Sequence, residues 1–197
     1  MTQKITLLLL FISAFCFSQQ DTTLNHKYRI YFDTGLYKTS YRYADKPGMF
    51  LQAGTGLKLN KYFWFNFDII HYESKGDYEN NLFSTTTTAT SGWMFMPNFS
   101  KDFIFSQKHH LTASLGFFYL REYSSRPEFV SYTDGTQTYI DLYMSNQKVD
   151  DFGLFLSAAY KYKLNKNVFI GLQLSSYVQL YISPEAFMIG PSLEFRL

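Results

Sequence analysis

From residue 28 onward, apolar and polar positions alternate in runs separated by turn residues. The C-terminus is the clearest run. Phe187, Ile189, Pro191, Leu193, Phe195 and Leu197 fall on one side, and Met188, Gly190, Ser192, Glu194 and Arg196 on the other. Val168, Ile170, Leu172 and Leu174 alternate with Phe169, Gly171, Gln173 and Ser175. The same period runs through Phe152–Lys161, Leu111–Tyr119 and Phe63–Ile69. A period of two marks a strand whose two faces meet different surroundings. Weaker runs over 28–43, 49–59 and 86–99 bring the expected total to about eight strands.

Asn-Lys between alternating runs signals a hairpin turn. Lys58-Leu59-Asn60-Lys61 recurs as Lys163-Leu164-Asn165-Lys166, each followed by a strand that ends at a tyrosine, Tyr72 or Tyr177. The echo suggests two related four-strand halves. Turns near 60 and 165 are short, and 101–109 is moderate. At the opposite end, 74–85 and 124–149 read as long loops, while 44–48 and 181–186 are short. Thr85 to Thr88 reads either as low complexity or as the outer end of a strand. Short turns at one end and longer loops at the other fit a transmembrane barrel.

Glycine placement orients the wall. Gly35, Gly54, Gly56, Gly92, Gly116, Gly153, Gly171 and Gly190 all fall on the less apolar face, and Gly48, Gly76 and Gly135 fall in expected loops. A water-facing strand surface does not need glycine, which weakens a strand and packs nothing. A narrow barrel interior does, so that large residues such as Trp64, Phe118, Phe155 and Phe169 can lie over it. The apolar face is therefore expected to touch lipid. Tyr28, Tyr41, Tyr43, Tyr62, Tyr72, Tyr119, Tyr123, Tyr177 and Tyr181 sit at strand ends, as interfacial aromatic girdles do. Pro97 and Pro191 are expected at bulges or strand ends, because proline lacks a ladder donor.

Composition agrees. Aromatic residues make up 20% of the chain, with 17 Tyr and 21 Phe, and these rings need an apolar environment. The net charge of +2 gives no basic field for nucleic acid. Residues 1–18 read as a signal peptide: Lys4, an apolar stretch from Ile5 to Phe17, and small residues Cys16 and Ser18 before a cut after Ser18 or Gln19. Residues 19–197 are then one barrel domain. An exported chain with no later apolar helix is either soluble or crosses a membrane as a closed barrel.

Candidate chemistry is sparse. His109-His110 lacks the carboxylates or thiolates of a metal site. His71, Glu73 and Ser74 form a weak hydrolytic set with no glycine-framed nucleophile. No catalytic residue, metal or cofactor is expected. Arg29, Asp33, Lys58, Asp68, Lys161, Lys163, Glu194 and Arg196 all fall on the inward register, as a lumen ion-pair network or an ion path. The 124–149 connection carries Phe129, Tyr132, Tyr139 and Tyr143 beside the turn signal Asp134-Gly135. Exposed aromatics of this kind suit a binding surface.

The closing Gly190-Pro191-Ser192-Leu193-Glu194-Phe195 resembles the C-terminal assembly signal of small outer-membrane β-barrels of Gram-negative bacteria, the OmpA/OmpX-like family. The chain departs from it by ending Arg196-Leu197. The resemblance covers roughly residues 27–197. It implies an all-β fold, a closed antiparallel transmembrane β-barrel of about eight strands, located in the outer membrane. It implies as partners outer-membrane lipid, the outer-membrane assembly machinery and a surface or envelope partner reached through 124–149. The expected role is non-enzymatic, in envelope structure, adhesion or as a secretion accessory. The alternatives are a lipid-modifying hydrolase and a soluble periplasmic ligand-binding barrel.

Overall fold

A computed structural model of the chain describes residues 26–39, 46–80, 83–135, 137–179 and 184–197. The signal segment with Cys16, and Tyr41, Tyr43 and Tyr181, lie outside them. Eight strands follow in order: β1 (Tyr28–Thr39), β2 (Gly48–Lys58), β3 (Phe63–Asn80), β4 (Phe83–Ile104), β5 (His109–Asp134), β6 (Gln137–Lys163), β7 (Val168–Gln179) and β8 (Pro184–Arg196). Each is antiparallel to the next, and β8 closes on β1.

The register fixes the shape. Partners run from Arg29 to Gly56, Asn66, Asn98, Gly116, Phe155, Tyr177 and Ala186, and return to β1 at Thr39. The stagger around the wall is therefore ten residues, from Arg29 to Thr39. For eight strands this gives a tilt of roughly 40° and an interior only wide enough for side chains.

Burial alternates along the strands with the period read in the sequence. In β1 the exposed Ile30, Phe32 and Leu36 flank the buried Arg29, Tyr31, Asp33 and Tyr37. In β7, Ile170, Leu172 and Leu174 are exposed while Phe169, Gln173 and Ser175 are buried. The large side chains are exposed because they form an outward apolar band. The interior is built from rings over glycines. A Cβ on Gly54 would meet the Tyr31 ring and the Asp68 carboxylate, and one on Gly153 would meet the Phe118 ring. Gly153→Leu is expected to cost about 1–3 kcal/mol through overpacking, measured as a lower urea midpoint of the barrel folded in vesicles.

Several expectations are corrected. The described residues of the 74–85 and 124–149 segments are strand, not loop, apart from the turn at Gly135. Residues 74–80 continue β3, Phe83 onward belongs to β4 with the threonine run inside it, and 124–149 is a paired extension of β5 and β6. Gly48 opens β2 and Gly76 lies within β3, opposite Thr88. Pro97 and Pro191 lie in mid-strand, and the registers keep their spacing through both. Instead the ladder skips a few partners on one side only, between β4 and β5 at Pro97 and between β1 and β8 at Pro191. A missing donor on one side is tolerated because the other side stays paired. Tyr72 and Tyr177 point into the lumen, 0% and 1% exposed, so they are not girdle residues; Tyr28 and Tyr123 are exposed on the outside.

Three turns close the end that also holds Leu197. In the first, Leu59 and Asn60 donate their backbone N–H to Phe63 O, and Asn60 Oδ1 accepts from the N–H groups of Tyr62 and Phe63. The third repeats this at Leu164 and Asn165, with Val168 and Asn167. The second does the same at Phe105 and Ser106, with Ser106 Oγ accepting from Lys108 and His109. The turn geometry thus has a third copy, hidden in the sequence because Ile104-Phe105-Ser106-Gln107 stands where the other two read Lys-Leu-Asn-Lys.

Candidate functional site

The lumen has two layers. Toward the short-turn end it is charged. Glu194, 0% exposed, lies 3.6 Å from Arg29 Nη1, accepts from Arg196 Nε at 2.5 Å and pairs with Lys161. Asp102 completes the cluster, 2.9 Å from Arg196 Nη2 and 3.7 Å from Arg29 Nη1. Trp64 Nε1 and the Thr112 hydroxyl donate to it at 3.0 and 2.8 Å. The guanidinium carbons of Arg29 and Arg196 sit 4.7 and 5.4 Å from the Trp64 ring centre. Arg29 also donates to Asn66 at 2.7 Å. Above this, Asp68 accepts from Tyr31, from Asn98 at 2.8 Å and from Gln52 at 3.2 Å.

The inward set therefore divides. Arg29, Lys161, Glu194 and Arg196 meet in one cluster. Asp68 belongs to a separate amide and hydroxyl net. Asp33 is buried opposite Ser192 and makes no ion pair among the described residues. Lys58 and Lys163 lie half-buried at the rim, with Lys58 Nζ 5.9 Å from the Trp64 ring. Asp102 is the member the sequence reading missed, because Lys101-Asp102 was assigned to a turn while β4 runs on to Ile104.

The other half of the lumen is apolar. Tyr37, Phe50, Ile70, Tyr72, Met94, Met96, Phe118, Leu120, Phe155, Tyr177, Ala186 and Met188 form one buried cluster. Tyr37 stacks on Tyr72 at 4.3 Å, its hydroxyl lies 2.8 Å from that of Tyr177, and Tyr72 donates to Glu122 at 2.6 Å. Between the layers a gap of about 10 Å³ remains beside Arg29, Gln52 and Gln173, room for roughly one water. An ion would have to cross the apolar layer, so this closed lumen does not favour the ion path.

The wall separates the other chemical candidates. His71 lies on the outside, its ring 4.5 Å from Trp93 and Nε2 3.2 Å from Glu73, whereas Ser74 is buried inside and donates to Lys46 O. His109 is outside against Tyr160, and His110 is inside against Phe169. Neither set can converge on one ligand.

Beyond Ser125, β5 is partnered only by β6. Their ladder continues from Ser125 with Asn146 to Asp134 with Gln137, a two-stranded ribbon about 30 Å long by strand rise. Gly135, with φ +62, supplies the left-handed residue at its tip. The four candidate aromatics do not share one face. Tyr132, Tyr139 and Tyr143 lie on the side continuous with the lumen register, and Phe129 lies opposite with Ile140 and Met144. Tyr132 and Tyr139 stack at 5.1 Å. Tyr143 donates to Glu128 at 2.6 Å, and this bond to a carboxylate holds its phenol above the ordinary value. All four remain exposed, at 40–50%. At the ribbon's base Arg121 donates to Asp150 at 2.9 Å and keeps that carboxyl below its ordinary value.

No family model and no curated protein matches the sequence. Solved structures do match. OprG from Pseudomonas aeruginosa aligns with a TM-score of 0.57 at 10% identity, over 90% of this chain and 100% of that one. The N-terminal β-barrel domain of OprF from the same organism gives 0.53 at 11%, over 87% and 98%. Ail, the attachment invasion locus protein of Yersinia pestis, gives 0.50 at 11%, over 87% and 100%, and it has also been solved in complex with the heparin analogue sucrose octasulfate. Identities this low tie the chain to these proteins through fold. With its closed eight-strand wall, packed lumen and apolar exterior, the chain has the fold of small outer-membrane β-barrels such as OprG and the OprF N-terminal domain.

Proposed function

We propose that the chain is a non-enzymatic barrel that acts through the β5–β6 ribbon, as an adhesion, envelope or secretion-accessory component. The observation that carries this is the ribbon itself: a paired, aromatic-bearing hairpin that the membrane-spanning wall does not need. Rigid exposed rings lose little entropy on contact and are enriched where binding energy concentrates. Ail supports an attachment role for a barrel of this shape. Its sulfated ligand does not transfer easily, because this ribbon carries Glu128, Asp134 and Asp141 and would repel a polyanion. A partner surface with basic or neutral groups fits better. The C-terminal strand β8 would be the part read by the assembly machinery, and the exposed apolar band would meet outer-membrane lipid.

Replacing residues 128–143 by a short Gly-Ser link tests the reading. The shortened barrel should fold as the parent does, seen as the same heat-dependent mobility shift in detergent gels. It should lose crosslinks to its surface partner in intact cells. If it folds and keeps every crosslinked partner of the parent, the ribbon is not the working part.

A further inference from the structure

The three matched turns at the Leu197 end have a use that the ribbon does not explain. Each begins with an apolar residue that continues the outward face of its strand: Leu59 after Leu57, Phe105 after Phe103, and Leu164 after Tyr162. These residues are 53%, 66% and 55% exposed. The outward apolar band thus runs into the turns, interrupted on β4 by Lys101, which is covered between Phe63 and Phe103, so the turn tips sit at the membrane surface. Every tip carries an exposed lysine: Lys61, Lys108 and Lys166. Lys61 and Lys108 lie against rings at the same level, 5.3 Å from Tyr62 and 6.0 Å from Tyr162. No Asp or Glu side chain is exposed at this end among the described residues. Asp102 and Glu194 are buried in the lumen. Exposed acids gather at the other end instead, at Glu73, Asp77, Asp134, Asp141 and Asp150.

Asn60, Ser106 and Asn165 each accept from the backbone N–H two residues on, which holds all three turns in one geometry; Lys61 and Lys166 take the third position of the turn, and Lys108 the fourth, where the other turns carry Tyr62 and Asn167. We propose that these turns form a collar that binds the headgroups of anionic phospholipids, with Leu59, Phe105 and Leu164 in the acyl layer and Lys61, Lys108 and Lys166 on the phosphates. Short turns of such barrels face the periplasm, so the lipid would belong to the inner leaflet of the outer membrane. A cation beside an anionic surface gains about fivefold in affinity.

The full barrel in neutral detergent, titrated with phosphatidylglycerol and separately with phosphatidylcholine, would be read by native mass spectrometry. The parent should retain phosphatidylglycerol at concentrations where phosphatidylcholine is lost. The variant K61Q/K108Q/K166Q should need of order a hundredfold more phosphatidylglycerol, by roughly fivefold per lysine. K75Q/K148Q, at the acidic end, should bind as the parent does. If the triple variant fails to give the heat-dependent mobility shift of a folded barrel, each single variant should still show its fivefold loss. Equal retention of the two lipids by the parent would overturn the proposal, and so would undiminished preference in the lysine variants. Displacement of phosphatidylglycerol by soluble polyglutamate of equal charge would also overturn it, by showing a site for an acidic polypeptide.

Discussion

Glu194→Ala is expected to destabilise the barrel by about 3–5 kcal/mol, because it removes one partner from a buried charge cluster. In the parent, Glu194 touches three cations, Arg29, Lys161 and Arg196, and Asp102 reaches two of them. Without Glu194, Lys161 has no anion within ion-pair distance among the described residues, and both arginines must share Asp102. Water cannot enter to compensate, since the neighbouring gap holds about one molecule. Glu194→Gln should cost less, because an amide oxygen can still accept from Arg196 or Lys161. The double variant E194A/K161M should recover part of the loss, because it removes the stranded ammonium along with its partner. Urea unfolding of barrels folded in vesicles measures all three. A Glu194→Ala midpoint equal to the parent's would mean the cluster fills the lumen without stabilising it.

The sequence carried the faces of the wall further than it carried the ends of the strands, and the reason is environmental. Alternation is visible only where the two faces meet different surroundings. Between Phe63 and Ile69, lipid lies on one side and a polar lumen on the other, so apolar and polar residues separate cleanly. Above the membrane, water lies on both sides of the ribbon. Ser131, Thr133, Thr138 and Asn146 then show no consistent alternation, and the hairpin reads as a loop although its ladder is unbroken. Asp102 was lost for a related reason. Lys101 faces outward at the wall's edge, buried between Phe63 and Phe103, so a charged pair there imitates a turn. Tyr72 and Tyr177 show the opposite error. Tyr72 shares the parity of Asp68, and Tyr177 that of Phe169, so the strand period already placed both inside; the preference of tyrosine for interfaces obscured it.

Leu172→Arg should cost about 2–4 kcal/mol if the exposed band is lipid-facing at the depth of this residue. Leu172 is 51% exposed, and its ladder partners Tyr160 and Pro191 lie on the same outward face. Val168, Ile170, Leu174 and Ser176 bracket it along β7, which places it near the middle of the band. Depth is what separates lipid from water here. Val168→Arg, close to the lysine-bearing turn at Lys166, should cost about 0–1 kcal/mol, since a charge near the interface reaches headgroups and water. Were the same face bathed in water, both variants would fall within about 0.5 kcal/mol of the parent, as surface substitutions do. Gln173, one residue on, donates to Gln52 at 2.9 Å inside the lumen. Gln173→Leu removes that bond without placing a charge in lipid, so its effect should not vary with bilayer thickness, whereas the Leu172→Arg penalty should grow in a thicker bilayer. Refolding each variant into vesicles of two acyl lengths gives the comparison. A Leu172→Arg barrel as stable as the parent in both would reverse the assignment of the two faces.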